Sequence, residues 1–409
     1  MNEKINLDPG AAQVLDGLHR AGYKAYLVGG CVRDSLAGRA PHDWDICTSA
    51  RPEQTMAVFG EKHCIPTGLQ HGTVTVKRDG GFYEVTTFRV EGGYADGRHP
   101  DRVEFVADVE ADLARRDFTI NAMAYNEAEG LIDPFGGRED LLVRRVVRAV
   151  GEPARRFEED GLRILRLYRF GAKEELALDP ATAAAALQER ERLGCVSAER
   201  IWQELYKLLS ARRPGRWMPP EILRQILPEL DGGAYPACIR AVDALPPDPL
   251  VRLAALLAPA GPAGAVSAAA RLRCSRAEAG EVCTLAAESS LALTGDPPRL
   301  QARRLLARLA PDTVRRLLAL RRAQTGDEGF AAVAAAANQL QAEHACCRVS
   351  QLAVNGRDLL ALGVRPGPAV GRLLSAALEQ VVEEKLPNDR AALLGWLQTR
   401  QTTCEQEKL

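Results

Sequence analysis

YLVGGCVRDSLAGRAPHDWDICTSA, running from Tyr26 to Ala50, is the stretch on which the fold turns. Tyr23 to Val28 reads as a strand entering Gly29-Gly30, and a helix begins near Cys31. Paired glycines let backbone N–H groups approach an anion with no Cβ in the way, and a helix N-terminus adds partial positive charge there. Arg33, one turn in, can add a charge-assisted fork to the same anion. Next come Asp43-Trp44-Asp45, leading into Ile46-Cys47 of a second strand, and a period of two puts both carboxylates on one face. Two acids held together repel unless cations sit between them. Mg²⁺ prefers such hard oxygen ligands, and two ions roughly 3.5–4 Å apart would stabilise both the attacking and the leaving oxygen of an in-line phosphoryl transfer. A Gly-Gly turn alone is a tight loop, and D-x-D alone an acidic one. Side by side they point to phosphoryl transfer.

Working outward, Ala11 to Ala21 has helical spacing, with Val14, Leu15 and Leu18 on one face. Gly72 to Lys77 and Gly81 to Arg89 are loaded with Val, Thr and aromatics, as strands are. Glu84 stands mid-strand among β-branched and aromatic neighbours, where a charge is costly without a partner. It is the candidate third carboxylate, and the position suits a surface-facing strand residue equally. From about residue 155 strand signals fade. Residues 156–170, 197–211, 248–258, 301–322 and 368–386 carry apolar side chains at three- and four-residue spacing, broken by Pro and Gly. The expected fold is α+β: a head with a small mixed β-sheet over residues 1–150, then a helical neck (151–212), body (213–340) and tail (341–409).

The 409 residues exceed one ordinary domain, and 46% hydrophobic with 26% charged is the balance of a soluble globular chain. Net charge is -1, so any nucleic-acid site must be a local basic patch rather than a global bias. One such patch is Arg303, Arg304, Arg308, Arg315, Arg316, Arg321 and Arg322 against Asp312. It could hold RNA phosphates or be the wet face of core helices. Ten cysteines without a C-x-x-C repeat suit neither a zinc site nor a disulfide ladder and read as reduced thiols. MNEKINLDPG has no signal-like apolar core and no apolar run reaches ~18 residues, so a cytoplasmic location is expected, with no membrane, DNA or obligate protein partner.

The quoted run resembles the catalytic signature of class II tRNA nucleotidyltransferases and bacterial poly(A) polymerases, within the polymerase β superfamily. TTFRVEGGYADGRHPDRVEF, RRDFTINAMAY, DPFGGREDL, RRFEEDGLRILRLYRF and ERIWQEL follow in the same order. LAVNGRDLLALGVRPGPAVGRLL is similar to the tail region of short bacterial CCA-adding enzymes, so the resemblance spans nearly the whole chain. It implies template-independent addition of C, C and A to the tRNA 3′ end from CTP and ATP, with pyrophosphate released. The partners implied are the tRNA acceptor arm and the two nucleotides, and the cofactor is Mg²⁺. The alternatives within the resemblance are a poly(A) polymerase, or an enzyme adding only CC or only A.

Because the quoted run resembles the family's catalytic signature, Asp43 and Asp45 are expected to be catalytic and to be the metal ligands, and Glu84 stands beside them as the candidate third catalytic carboxylate on its strand position alone. Gly30 and Arg33 join the nucleotide site, and Arg116 contacts the nucleotide, Asn121 lying on the same helical stretch. Asp117 would otherwise serve as an N-cap. Asp160 and Arg163, three apart on a helix, would share a face, and the alternative to base recognition is a salt bridge between them. A carboxylate only accepts and a guanidinium only donates, so the two complement the amino group and ring nitrogen common to adenine and cytosine. Guanine and uracil present the reversed pair. Arg166 and Arg169 continue the three-residue spacing into the nucleotide site. The loop from Arg89 to Phe105 resembles the flexible loop proposed to help switch the pocket from C to A. His71 and His99 receive no role.

Overall fold

Asp8 opens the first helix, its carboxylate accepting the N–H groups of Gly10 and Ala11 at 3.0 Å while Pro9 fills a position that needs no donor. That helix, α1 (Pro9–Arg20), buries Val14, Leu15 and Leu18. The computed structural model describes residues 5–92, 102–230 and 232–406, and the chain divides into two compact units, Met1–Pro228 and Glu229–Leu409. This boundary falls inside the segment expected as body, and residues 151–212 share a unit with the head.

In the first unit α1 is followed by β1 (Ala25–Val28), α2 (Gly30–Leu36), β2 (Ile46–Thr48), α3 (Pro52–Phe59), β3 (Cys64–Gly68), β4 (Thr73–Arg78) and β5 (Gly81–Thr87). A hairpin of β6 (Arg89–Gly92) and β7 (Arg102–Phe105) leads to α4 (Val109–Ala114), β8 (Ala124–Asn126), β9 (Gly130–Ile132) and the single turn α5 (Gly137–Glu139). Seven strands form one mixed sheet in the order β3-β4-β5-β2-β1-β8-β9, in which β2 and β5 run parallel and the other neighbours antiparallel. Tyr26, Val28, Cys47 and Ala124 pack on one face against Val109 and Leu113 of α4 and against Phe88. Each large apolar side chain buried there contributes roughly 1.5–3 kcal/mol. The packing sets α4, and the arginines at its end, over the face on which the D-x-D segment opens. The tip of the expected flexible loop, Gly92 to Gly97 with His99 beyond it, lies for the most part outside the described residues, and only β6 and β7 on its flanks are described.

The helical part of this unit comprises α6 (Pro153–Glu159), α7 (Leu162–Glu174), α8 (Pro180–Gln188) and α9 (Ala198–Leu209), with β10 (Val146–Val147) paired in parallel to β11 (Ala177–Leu178). The helix expected over 156–170 is two helices, broken at Asp160-Gly161, where Asp160 is extended (φ -151°, ψ 106°). Gly161, next to the break, is itself helical (φ -56°, ψ -25°) and packs against a neighbouring backbone. A Cβ there would stand 2.7 Å from the carbonyl oxygen of Arg192, so only glycine lets the two backbones approach this closely. Gly161→Ala is expected to cost about 1–3 kcal/mol and to move Asp160. Thermal denaturation checks the first effect, and an unchanged midpoint would contradict it.

The second unit is helical among its described residues. The expected 301–322 helix is again two, Pro298–Arg308 and Pro311–Thr325, because Pro311 cannot donate into a continuing helix. Pro249–Arg271 is the one described stretch long and apolar enough to cross a membrane. It is interrupted at Ala258–Ala260 and by Gly261 at φ +67°, which turns it into two separate helices. The arginine run is spent inside the unit. Arg304 pairs with Glu383 (2.7 Å) and Asp296 (2.6 Å), and Arg308 with Glu288 (2.7 Å). Arg316 pairs with Asp248 (2.7 Å) and Glu281 (3.0 Å), and Arg322 with Glu328 (2.8 Å). Arg303 donates to the Val381 carbonyl and Arg321 to that of Leu291, while Arg315 lies 3.9 Å from Asp248. These arginines tie helix to helix, a third use beside the two open at the level of sequence.

Candidate nucleotidyl-transfer site

A cleft of about 780 Å³ in the first unit is lined by Gly29 together with Gly30, Arg33, Asp43, Asp45, Arg116, Asp160, Arg163, Arg166 and Arg169, nine of the ten candidate site residues named from the sequence. Glu84, the tenth, is exposed on β5 and is not part of the cleft wall. The register Ile46↔Val85 nevertheless places Glu84 next to Asp45 on one face, one residue earlier on each strand. Of the two readings open for Glu84, its exposure is that of a surface-facing strand residue, because the pleat turns it outward while Tyr83 and Val85 go in.

Gly29 makes the entry turn with φ +76° and ψ -122°, a conformation open to glycine and strained for other residues. A Cβ there would also approach Arg116 Nη1 to 3.1 Å. Arg33, on α2, is buried, donating to Asn121 Oδ1 at 2.7 Å and to Asp34 at 3.0 Å, with Glu174 at 3.4 Å. Asp43 and Asp45 lie just ahead of β2 rather than in it, yet the alternation holds: both line the cleft, while Trp44 lines a separate hollow behind it. Asp45 is pushed up to about 6 by burial first, then by the charge of Glu84, with Asp43 adding and Arg116 opposing. Like charges at such a point are relieved by a cation. Among the described residues no three acidic, His or Cys side chains gather on one metal position. The pair with Glu84 alongside therefore suits a divalent cation whose other ligands are water and substrate phosphate.

The opposite wall comes from the end of α4 and from α7 and α9. Asp112, fully buried, holds Arg115 at 2.7 Å and Arg116 at 3.2 Å. Burial works against its charge, but the two guanidiniums keep its carboxyl below the usual range. Asp117 is no helix cap, and Asn121 sits in a single 3-10 turn. The Asp117 carboxylate accepts from Arg166 Nε (2.8 Å) and from Asn121 (3.3 Å), and against the effect of burial the Arg166 and Arg163 charges bring it down to about 2. Arg169 pairs with the buried Glu204, and the guanidiniums of Arg33, Arg166 and Arg169 lie 5.5, 5.3 and 3.8 Å from the Phe170 ring centroid. Asp160 and Arg163 are not salt-bridged to each other. Arg200 forks onto Asp160 at 2.7 and 3.2 Å, and Arg163 pairs with Glu159 at 2.7 Å.

Ten arginines and lysines line the cleft against four aspartates, a surplus suited to a triphosphate. Sequence reasoning missed Arg200, Lys173 and Lys207 on this wall, together with Glu204 behind it. The signal was there, since Arg200, Glu204 and Lys207 repeat at four and three residues along one helix face.

Comparison with known proteins identifies the family. A family profile described as "Poly A polymerase head domain" matches residues 25–148, and one for a second domain of tRNA nucleotidyltransferases matches 253–397. The CCA-adding enzyme of Lactobacillus delbrueckii subsp. bulgaricus is 36% identical over 394 residues, 95% of this chain and 96% of that protein. The CCA-adding enzyme of Geobacillus stearothermophilus is 47% identical over 209 residues, 51% of each chain. The crystal structure of the Bacillus stearothermophilus CCA-adding enzyme in complex with CTP superposes with a TM-score of 0.79 at 32% identity, covering 98% of this chain and 100% of that one. With that identity extending over almost the full length of both chains, and the carboxylate pair facing an arginine-lined wall, the chain belongs to the class II tRNA nucleotidyltransferases, the family of the CCA-adding enzymes.

Proposed function

We propose that this chain adds C, C and A in turn to the 3′ end of tRNA, without a nucleic-acid template, taking CTP and ATP and releasing pyrophosphate. The observation that carries the reading is the cleft itself, which sets Asp43 and Asp45 against a wall holding Asp160 and Arg163. The names of the relatives, and a relative's structure with CTP bound, support it. Mg²⁺ bound at Asp43 and Asp45, with Glu84 beside them, supplies charge stabilisation to the phosphate oxygens. Gly30, Arg33 and Arg116 orient the triphosphate, and Arg166 and Arg169, stacked on Phe170, hold the far wall in register. Most of the acceleration then comes from positioning and fixed charge.

A donor and acceptor inventory explains base choice. Asp160 Oδ1 accepts from Leu162 N–H (3.1 Å) and Arg200 Nη1 (3.2 Å), and Oδ2 from Arg200 Nη2 (2.7 Å). Among the described residues one Oδ2 lone pair remains. Arg163 gives Nη1 to Glu159 and to the Arg156 carbonyl and one Nη2 proton to the Arg115 carbonyl, which leaves Nε–H and a second Nη2 proton. Cytosine offers one amino donor with N3 and O2 as acceptors, and adenine one amino donor with N1. Both fit. Guanine and uracil would set a carbonyl against Asp160 and an N–H against Arg163, leaving buried groups unmatched.

We assign residues 1–150 to catalysis, 151–212 to base reading, and 213–340 with 341–409 to holding the tRNA acceptor arm, with the work done in the cytoplasm during tRNA 3′-end maturation and repair. The test is extension of tRNAs ending at the discriminator base, at C and at CC, with CTP and ATP supplied separately and together, followed by sequencing of the ends. Completion of CCA on all three is expected. Runs of A, or arrest after CC with both nucleotides present, would overturn the reading in favour of a poly(A) polymerase or a partial enzyme.

A further inference from the structure

Asp160 is an extended residue between two helices, and α7 reaches its side chain only through the Leu162 N–H on Oδ1 at 3.1 Å. The only contact that engages both carboxylate oxygens among the described residues comes from Arg200, in the first turn of α9, at 2.7 and 3.2 Å. Both side chains line the cleft, 24% and 16% exposed, so the contact is formed at the base-reading wall and not behind it. The neighbouring acid on α9, Glu204, is committed to Arg169 and does not compete for Arg200. Building on the base-reading assignment above, we infer that Arg200 is a positioning residue for nucleotide selection. Its fork occupies one lone pair on each oxygen of Asp160 and leaves Oδ2 a single acceptor direction for the amino group of C or A. Without the fork, Asp160 still shares its wall with the cations of Arg163 and Arg166. Asp160 would swing toward them, which would cost the base both its acceptor and the donors of Arg163. A planar guanidinium can make this fork and an ammonium cannot.

The test compares wild type, Arg200→Ala, Arg200→Lys and Asp160→Ala by single-turnover incorporation of all four nucleotides on tRNA ending at the discriminator base and at CC. The tRNA dissociation constant and the melting temperature are measured alongside. For Arg200→Ala the preference for CTP over UTP and for ATP over GTP is expected to fall about tenfold or more, through loss of CTP and ATP efficiency, with tRNA affinity within about twofold of wild type. Arg200→Lys should retain an intermediate preference, and it decides the matter alone if the alanine variant does not fold. Equal slowing of all four nucleotides, or full selection in both Arg200 variants while Asp160→Ala loses it, overturns the inference. Selection that survives Asp160→Ala overturns the base-reading assignment, and the clamp with it.

Discussion

Asp43→Ala or Asp45→Ala abolishes nucleotide addition while leaving the fold and tRNA binding close to wild type. Both side chains precede β2, outside the packed cluster of Tyr26, Val28, Cys47 and Ala124, so their loss removes no core contact. What each variant loses is a ligand for the cation that offsets charge on the reacting phosphate, an effect of several kcal/mol. With every 1.36 kcal/mol worth tenfold, a loss of roughly 10³-fold or more in single-turnover rate is expected. Near-normal turnover of either variant in Mg²⁺ would show that the reacting phosphate lies elsewhere.

The second large effect is on selection rather than speed. Replacing Asp160 and Arg163 together removes the acceptor and donors that fit the shared edge of C and A, and with them the penalty against G and U. A charge-assisted hydrogen bond is worth roughly 1.5–3 kcal/mol, so selection should fall by on the order of tenfold or more per contact, with CTP and ATP losing more than GTP and UTP. Because Arg163 is tied to Glu159 and Asp160 to Arg200, each single variant strands one partner and the double variant strands both, so the two singles are measured beside the double and the non-additive part is read as their coupling. Single-turnover incorporation of the four nucleotides measures it. A uniform slowing that keeps the preference for C and A would place base reading on other residues.

The catalytic half of the site was legible because its information is local. Gly29-Gly30, Arg33 and the two aspartates lie within a single strand-turn-helix-strand run, and the period of two that pairs Asp43 with Asp45 and excludes Trp44 holds even where the regular strand has not begun. The base-reading half was legible in its residues but not in its geometry. The expected helix breaks at Asp160, which is held by Arg200, forty residues on, and Gly161 beside it approaches the Arg192 carbonyl. No helical periodicity encodes either contact. The arginine run misled for the same reason. Within 303–322 only Asp312 offsets it, while the acids that neutralise it, Asp248, Glu281, Glu288 and Glu383, come from other helices.

One pocket reading both bases is the central claim, and competition between nucleotides tests it most directly. Equilibrium binding of labelled CTP to the protein with Mg²⁺ should saturate at one nucleotide per chain and be displaced fully by unlabelled ATP. GTP and UTP should displace it poorly, and the affinity for CTP should fall in the Asp160→Ala, Arg163→Ala variant. Simultaneous binding of CTP and ATP to one chain, or unchanged CTP affinity in that variant, would contradict the account.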